Sequence, residues 1–529
     1  MRAHAGPSTG AVPPLFTGAA LTPVAFLERA GLDLRDRVAV LDGSRRLTYG
    51  ELLGRARTLT GVLARLGVRP GDRVAALCAN SALMLELHNA VPMAGAVLVP
   101  LNIRLSVEEL AWILRHSGAS ALFATQELTG AATALGVELG IPLVLEGEGP
   151  GQLEELLASK PDPALHDAAE GDVLAINYTS GTTGSPKGVT YLHRGAYLQA
   201  LAMAHHAGIG PGTRYLWTLP MFHCNGWCFT WALTAVGATH VCLRAVDTEV
   251  IWEHLLGGGI THLAGAPTVM TMIAASAPPG APRVSVSVQT GGSPPTPSLL
   301  ERLSALGLEV THLYGLTETY GPIAINVWQP EWDELPQDEQ ARLKARQGIG
   351  NIASRHLRVI DAHGRDVPED AETQGEIVVS GNNVMSGYYL DPRATEEATI
   401  DGWLRTGDVA VVHPDRYVEI RDRSKDVIIS GGENISSVEI ERTLERHPDV
   451  LEAAVVARAH DTWGQVPVAY VTLRTGSSVT SQELRDHVRE HLAGFKVPKQ
   501  IFVQDLPKTS TGKIRKNVLR ELAAQEQTP

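Results

Sequence analysis

Four cysteines in 529 residues are too few to staple a chain of this size, which excludes a disulfide framework and points to a reducing compartment. Cys224 and Cys228 lie near His223, but no fourth ligand sits at zinc-like spacing. Trp227 and Phe229 also crowd the segment with apolar bulk, so no zinc site is expected. The chain lacks any uninterrupted apolar run approaching the roughly 20 residues of a membrane span. Residues 1–14 hold Gly and Pro without an apolar core, so no secretory signal is expected. The end, Gln527-Thr528-Pro529, is not a peroxisomal tripeptide of the Ser-Lys-Leu type, which leaves a cytoplasmic protein as the expectation. There is no basic excess: 45 Lys and Arg against 58 Asp and Glu give a net charge of −13, which argues against nucleic acid as the main partner. Internal repeats and low-complexity tracts are also missing. What remains, 44% hydrophobic and 19% charged residues, is the composition of an ordinary globular protein. The length suggests about three to four folding units.

The most informative stretch present runs from Tyr178 to Val189. It combines Gly181, Gly184 and Gly188 with the hydroxyls of Thr179, Ser180, Thr182 and Thr183 and with Lys187, directly after an apolar segment at residues 173–176. Glycines let backbone N–H groups approach an anion, and hydroxyls add donors or a metal ligand, so this reads as a strand followed by a phosphate cradle. A flexible surface loop is the plainer reading, and the Pro186-Lys187-Gly188 exit argues against it. A kinase-type P-loop needs Ser or Thr directly after its lysine; here Gly188 follows Lys187, so the cradle is of another kind.

Local signals outline the organisation. Thr48-x-x-Glu51 and Ser106-x-x-Glu109 are capping boxes that open helices, the first bearing Leu52, Leu59, Leu63 and Leu66 up to Gly67. Strands are expected at residues 74–78 and 121–124, and such alternation argues for parallel α/β sheets. Residues 148–172, rich in Gly, Pro and Ala, read as a surface connection, and a second α/β stretch runs from about 171 to 321. Residues 330–348 read as a surface turn and short helix. From 348 to 420 the β-type runs shorten, as in a small, partly open barrel. After Arg423 a compact unit restarts, with caps at Ser436-x-x-Glu439 and Thr480-x-x-Glu483 and strands near 453–456 and 468–473.

Further motifs follow the cradle in order: Tyr314-Gly-Leu-Thr-Glu-Thr319, Gly402-Trp-Leu-Arg-Thr-Gly-Asp408, Arg421-Asp-Arg-Ser-Lys425, Ile428-Ile-Ser-Gly-Gly-Glu-Asn434 and Pro507-Lys-Thr-Ser-Thr-Gly-Lys513. Together with the cradle they resemble the signatures of the AMP-forming acid ligases, which include acyl-CoA synthetases, luciferases and adenylation domains. The resemblance spans residues 178 to 513 in the family's order. It implies an α/β fold with a large N-terminal domain (1–422) of two α/β sheet subdomains plus a small distorted β-barrel. A hinge at 423–425 would lead to a small mobile α+β C-terminal domain (426–529).

The resemblance also implies a reaction using ATP, Mg²⁺ and CoA. Thr179, Ser180, Gly181, Thr182, Thr183, Gly184 and Lys187 would hold the β- and γ-phosphates, with Thr182 and Glu318 as metal ligands and Thr317 on the α-phosphate. Glu318 offers a hard oxygen donor suited to a hard cation. Gly291, Gly292, Ser293 and Tyr314 would form the adenine pocket, the tyrosine stacking on the base. Asp408 would clamp the ribose hydroxyls, with Arg423 assisting. Lys513 is the implied catalytic cation, bridging the acyl carboxylate and the α-phosphate; Lys496, Lys499 and Lys508 read as surface lysines. Lys425 falls on the hinge, and Gly431 and Gly432 would line the pantetheine tunnel after the small domain rotates.

For the acid, His223 and Trp227 resemble the residues that line and gate the acyl site of fatty acyl-CoA synthetases. Gly315 stands where acetate-type synthetases carry tryptophan, which implies an open pocket floor and a medium-chain acid. The segment from Tyr215 to His223 also resembles plant-type acyl-activating enzymes, so short, branched and aromatic acids remain alternatives. CoA is the expected acceptor, with a carrier protein as the alternative. A non-catalytic nucleotide-binding protein would show erosion at Lys513, Glu318 or Asp408, and all three are intact. The family includes monomers and homodimers.

Overall fold

The computed structural model describes residues 19–179, 186–292, 295–423, 425–430, 433–460, 463–474, 476–509 and 513–525. The expected site residues Ser180, Gly181, Thr182, Thr183, Gly184, Ser293, Gly431 and Gly432 lie outside them.

Two large sheets form the N-terminal part, and the chain interleaves them instead of completing one before the other. A seven-stranded sheet takes strands from Arg73–Leu77 through Lys187–Leu192 and adds Gly387–Tyr388 at one edge. A nine-stranded sheet takes Val38–Asp42 and Arg45–Thr48 from the start of the chain, then the strands from Arg214–Leu216 to Ile349–Gly350. The expected division near residue 171 is therefore corrected: the opening hairpin belongs to the later sheet, and Val173–Thr179 and Lys187–Leu192 belong to the earlier one. Strand partners are chosen by long-range burial, which local sequence does not report.

Helix Ala82–Met93 lies between the sheets, touching Val38–Asp42 on one side and Arg73–Leu77 and Val97–Pro100 on the other. All its residues are buried, including Glu86. A buried carboxylate needs a partner; Arg55 Nε lies 2.7 Å from Glu86, and the same guanidinium reaches Glu154 at 2.8 Å. Glu154 sits on helix Leu153–Ala158, so the stretch 148–172 is no plain surface connection: it supplies an ion-pair partner to the centre of the domain.

The capping boxes at Thr48–Glu51, Ser106–Glu109 and Thr480–Glu483 all form, and Ser436 accepts from the Glu439 N–H. The short strands Arg358–Ile360, Gly375–Val379, Thr399–Ile400, Trp403–Val412 and Val418–Arg423 make the small antiparallel sheet expected as a barrel. Its core is shared with Tyr314, Ile323 and Ala324 from the nine-stranded sheet. Residues 330–348 form a short 3₁₀ turn, Pro330–Glu334, and helix Gln337–Lys344.

The C-terminal unit is a five-stranded sheet with helices Ser437–Glu445, Ser481–His491 and Lys516–Gln525, and its two core clusters draw only on residues from 428 onward. At the junction, Asp422 pairs in the barrel with Val409 while its carboxylate accepts from the N–H (2.5 Å) and hydroxyl (3.0 Å) of Ser437.

Candidate active site

The site lies outside the carboxyl ends of the parallel strands of the nine-stranded sheet, the usual place for a ligand crevice in α/β folds. Strand Val286–Gly291 delivers Gly291 and Gly292. Its neighbour Leu308–Leu316 delivers Thr317 and Glu318 on the turn Thr317–Thr319. Strand Arg214–Leu216 leads to His223. From the other sheet, Thr179 pairs with Lys187 in an antiparallel ladder, so residues 180–185 are flanked by two strands and not by the strand and helix of a P-loop.

Lys513 reaches this crevice from the C-terminal unit. A Cβ placed on Gly292, whose φ is +95°, would lie 3.2 Å from Lys513 Cε and 3.8 Å from its Nζ, so glycine here makes room for the lysine stem. Burial lowers the Lys513 pKa, and the Arg423 charge adds to the effect, while Cys224, Asp408 and Glu318 oppose it. Burial, with Lys513 beside it, likewise depresses His223 to about 3, so this imidazole is neutral. Lys496 and Lys508 are instead paired with Glu439 and Glu452.

Asp408 is buried with both oxygens engaged: Arg423 Nε lies 3.1 Å from Oδ1, and the Tyr314 hydroxyl donates to Oδ2 at 2.6 Å. Tyr314 thus joins the barrel core through its ring and the carboxylate through its hydroxyl, a link the sequence did not announce. Burial, then the Asp408 charge, raises its pKa. Lys425 has its pKa lowered by burial and by Arg423.

Two tyrosines absent from the sequence expectations hold the other motif residues. The Tyr388 hydroxyl donates to Glu318 Oε1 at 2.8 Å, and the Lys187 ammonium sits 4.7 Å from the centre of the same ring. The Tyr191 hydroxyl donates to the Thr317 carbonyl at 2.6 Å. The only sequence signal for Tyr388 was the strand-like Gly387-Tyr388-Tyr389 run, which carries no charge or chelating group.

Beside Gly291, Trp227 is buried and its backbone φ is 52°. A Cβ on Gly291 would lie 3.3 Å from its ring and one on Gly321 3.2 Å from its Cα, so the two glycines let the indole pack between them. Trp227 belongs to a run of left-handed residues, Cys224 to Cys228, a conformation costing L-residues roughly 1–2 kcal/mol each. Cys224 Sγ lies 3.8 Å from Thr317 Oγ1, and burial raises its pKa to about 11. Gly315 is not an open floor. A Cβ there would lie 2.0 Å from the Gly321 carbonyl oxygen and 2.9 Å from Pro322 Cα, because the returning strand Gly321–Ile325 runs directly against it. The expectation of space at Gly315 is corrected: the missing side chain is used by backbone.

Among the described residues no cluster of three or more His, Cys, Asp or Glu forms a metal centre. Glu318 nevertheless offers a carboxylate joined through Tyr388 to Lys187, a hard donor of the kind Mg²⁺ takes alongside substrate phosphates and water.

Known proteins resemble this chain along nearly its whole length. The AMP-binding enzyme family matches residues 27–389, and the AMP-binding enzyme C-terminal domain matches residues 439–513. The chain is 43% identical to the acetate–CoA ligase CCL3 of Humulus lupulus, over 96% of this chain and 95% of that protein. It is 42% identical to the peroxisomal acetate/butyrate–CoA ligase AAE7 of Arabidopsis thaliana, over 96% and 95%. The crystal structure of ATP-bound MatB from Rhodopseudomonas palustris superposes with a TM-score of 0.84 at 28% identity, covering 96% of this chain and 99% of that one. The chain belongs to the AMP-binding enzyme family, as an AMP-forming acid–thiol ligase.

Proposed function

We propose that the chain joins a small carboxylic acid to CoA in two steps at one site. In the first, a carboxylate oxygen attacks the α-phosphorus of ATP and the P–O bond to pyrophosphate breaks, giving acyl-AMP. In the second, the CoA thiol attacks the acyl carbon and AMP leaves as the thioester forms. Both reactants of the first step are anions, so their approach needs fixed positive charge aimed at the point of bond formation. The observation that carries the reading is Lys513, delivered from a separate unit against Gly292 and within electrostatic reach of Glu318 and Asp408.

In this reading Lys513 bridges the acid carboxylate and the α-phosphate, and Thr317 donates to the same phosphate. Asp408, oriented by Tyr314 and Arg423, takes the ribose hydroxyls. Lys187 and the cradle from Thr179 hold the outer phosphates, with Glu318 and Thr182 as ligands to Mg²⁺, which supplies charge neutralisation there. Neutral His223 lines the acid site. For the second step, residues 426–529 turn about the hinge near Lys425, withdraw Lys513 and bring Gly431 and Gly432 to the thiol path.

The acid is read as compact, of short-chain or small branched or aromatic type. The medium-chain expectation leaned on free space at Gly315, and that space is filled by the Gly321 carbonyl. Trp227, packed between Gly291 and Gly321, supports a wall at the same end, and the acids named for the two plant relatives are acetate and butyrate. The test is CoA-dependent AMP release across acids from acetate to palmitate, with benzoate and cinnamate. A maximum at or below about six carbons, or on benzoate, supports the compact site; a maximum at eight to twelve carbons restores the medium-chain reading. AMP formed without CoA being consumed would move the acceptor to a carrier protein. No described helix is long and apolar enough to cross a membrane. The relative from Arabidopsis is peroxisomal, so the cytoplasmic expectation gains no support from it.

A further inference from the structure

Five consecutive residues beside the acid site, Cys224, Asn225, Gly226, Trp227 and Cys228, have φ of 47°, 43°, 59°, 52° and 63°. Only one is glycine. A left-handed run of this length persists where its surroundings over-determine it, and the surroundings here converge on Asn225. Its N–H donates to Asn177 Oδ1 at 3.1 Å, its Oδ1 accepts from Asn177 Nδ2, and its carbonyl accepts from the Thr230 hydroxyl at 3.1 Å. Its Nδ2 lies 3.1 Å from His88 Nε2. The roles in that last contact are fixed by chemistry. His88 Nδ1 sits 2.7 Å from the Met84 carbonyl, which only accepts, so Nδ1 carries the proton and Nε2 accepts from Asn225. Burial holds the His88 pKa at about 4, which keeps this acceptor neutral.

All three side chains are buried. His88 belongs to the helix between the sheets, and Asn177 stands two residues before Thr179 on the strand that enters the phosphate cradle. Asn225 is therefore held from both sheets' common core while its chain neighbours His223 and Trp227 face the site.

We propose that Asn225, clamped between Asn177 and His88, is a positioning residue that fixes the Trp227 wall and so sets the size of acid accepted. The inference rests on the ligase reading above and adds the device that sets its selectivity. With the turn locked, the indole wedged between Gly291 and Gly321 is a wall of fixed position, not a swinging gate. With the clamp removed, the turn relaxes toward ordinary backbone conformations and the Trp227 Cα moves with it. The Asn177 bond further ties the wall to the strand feeding the cradle, so acid and phosphate are held in one register.

The experiment is acid-dependent ATP–pyrophosphate exchange with acetate, butyrate, hexanoate, octanoate and benzoate, on wild type, Asn225→Gly, Asn177→Ser and Trp227→Ala. Glycine at 225 keeps the left-handed backbone accessible and removes only the side-chain clamp. Asn177→Ser leaves the turn's own residues untouched, and serves if Asn225→Gly fails to fold. The expected result is a shift of about tenfold or more in the octanoate-to-butyrate ratio of kcat/KM, in the direction Trp227→Ala takes, the scale at which pocket size discriminates neighbouring acids. An equal fall for every acid would overturn the proposal, since it marks general destabilisation. Wild-type selectivity in both clamp variants would overturn it as well. Wild type that exchanges pyrophosphate with none of the acids would overturn the ligase reading itself, and this inference with it.

Discussion

Replacing Gly315 by alanine separates two meanings of a glycine beside a substrate pocket. If Gly315 leaves room for the acid, a methyl group trims the pocket and does nothing else. The structure gives the other meaning. The new Cβ would lie 2.0 Å from the Gly321 oxygen, 2.6 Å from its carbonyl carbon and 2.9 Å from Pro322 Cα. Carbon and oxygen atoms at rest stay more than about 3 Å apart, so the partner strand must retreat by about 1 Å. None of these atoms is the end of a flexible side chain; all are backbone, in a hairpin that pairs Gly315 with Pro322 and Leu316 with Gly321. Overpacking typically costs 1–3 kcal/mol, and the absence of a yielding neighbour puts this substitution near ~3 kcal/mol. The same retreat displaces Thr317 and Glu318, which lie in the turn joining the two strands. We therefore expect Gly315→Ala to lower the urea midpoint of unfolding and to depress adenylate formation from acetate, butyrate and benzoate alike. A variant with wild-type stability that keeps acetate turnover and loses only longer acids would refute the close-packing argument and restore the open floor.

Other outcomes follow from the same geometry. Lys513→Ala should abolish adenylate formation, measured as ATP–pyrophosphate exchange, yet still convert preformed acyl-AMP and CoA to thioester; equal loss of both half-reactions would sink the rotation of residues 426–529. Tyr314→Phe leaves the buried Asp408 carboxylate without one of its two partners, at a cost of about 1–3 kcal/mol; urea unfolding should record it, with a raised KM for ATP and little change in KM for acid. Stability should fall with acid. His88, His223, His240 and His312 are held by burial at about 4, 3, 3 and 4, below the unfolded value of 6.5. Between those values the unfolded chain binds more protons, so each histidine stabilises the fold above pH 6.5 and loses about 1 kcal/mol between pH 6.5 and 5.5. Glu445, raised by burial to about 8, is protonated in the fold over this window and runs the other way, offsetting roughly one of the four. Urea midpoints that rise on going from pH 6.5 to 5.5 would contradict the neutral burial of these rings.

How much of this was legible in the sequence depends on whether a residue's reason is local. Capping boxes at Thr48, Ser106 and Thr480 were readable because both partners lie within four residues. Lys513, Glu318 and Asp408 could be singled out because the groups that carry charge stand in short motifs with fixed order. The interleaved sheets were not, since the parallel partner of Val38–Asp42 is Thr239–Cys242, some two hundred residues on. Gly315 misled for a different reason: an absent side chain says that something is close, and not whether it is substrate or backbone.

The least legible residues are those that act through others. Tyr388 bridges Lys187 and Glu318, Tyr191 steadies Thr317, and Asn177 and His88 hold Asn225. Each has an uncharged side chain in the fold, and each is brought to its partner from a distant element. The left-handed turn shows locally only its Asn225-Gly226 pair, two residue types that reach this conformation readily; at Cys224, Trp227 and Cys228 it runs against preference and is supported by the buried hydrogen bonds of Asn225. The motifs therefore say which reaction the chain performs. In the proposed reading the size of the acid is set by residues outside them, because a wall such as Trp227 is only as firm as the buried polar groups that hold its backbone in place.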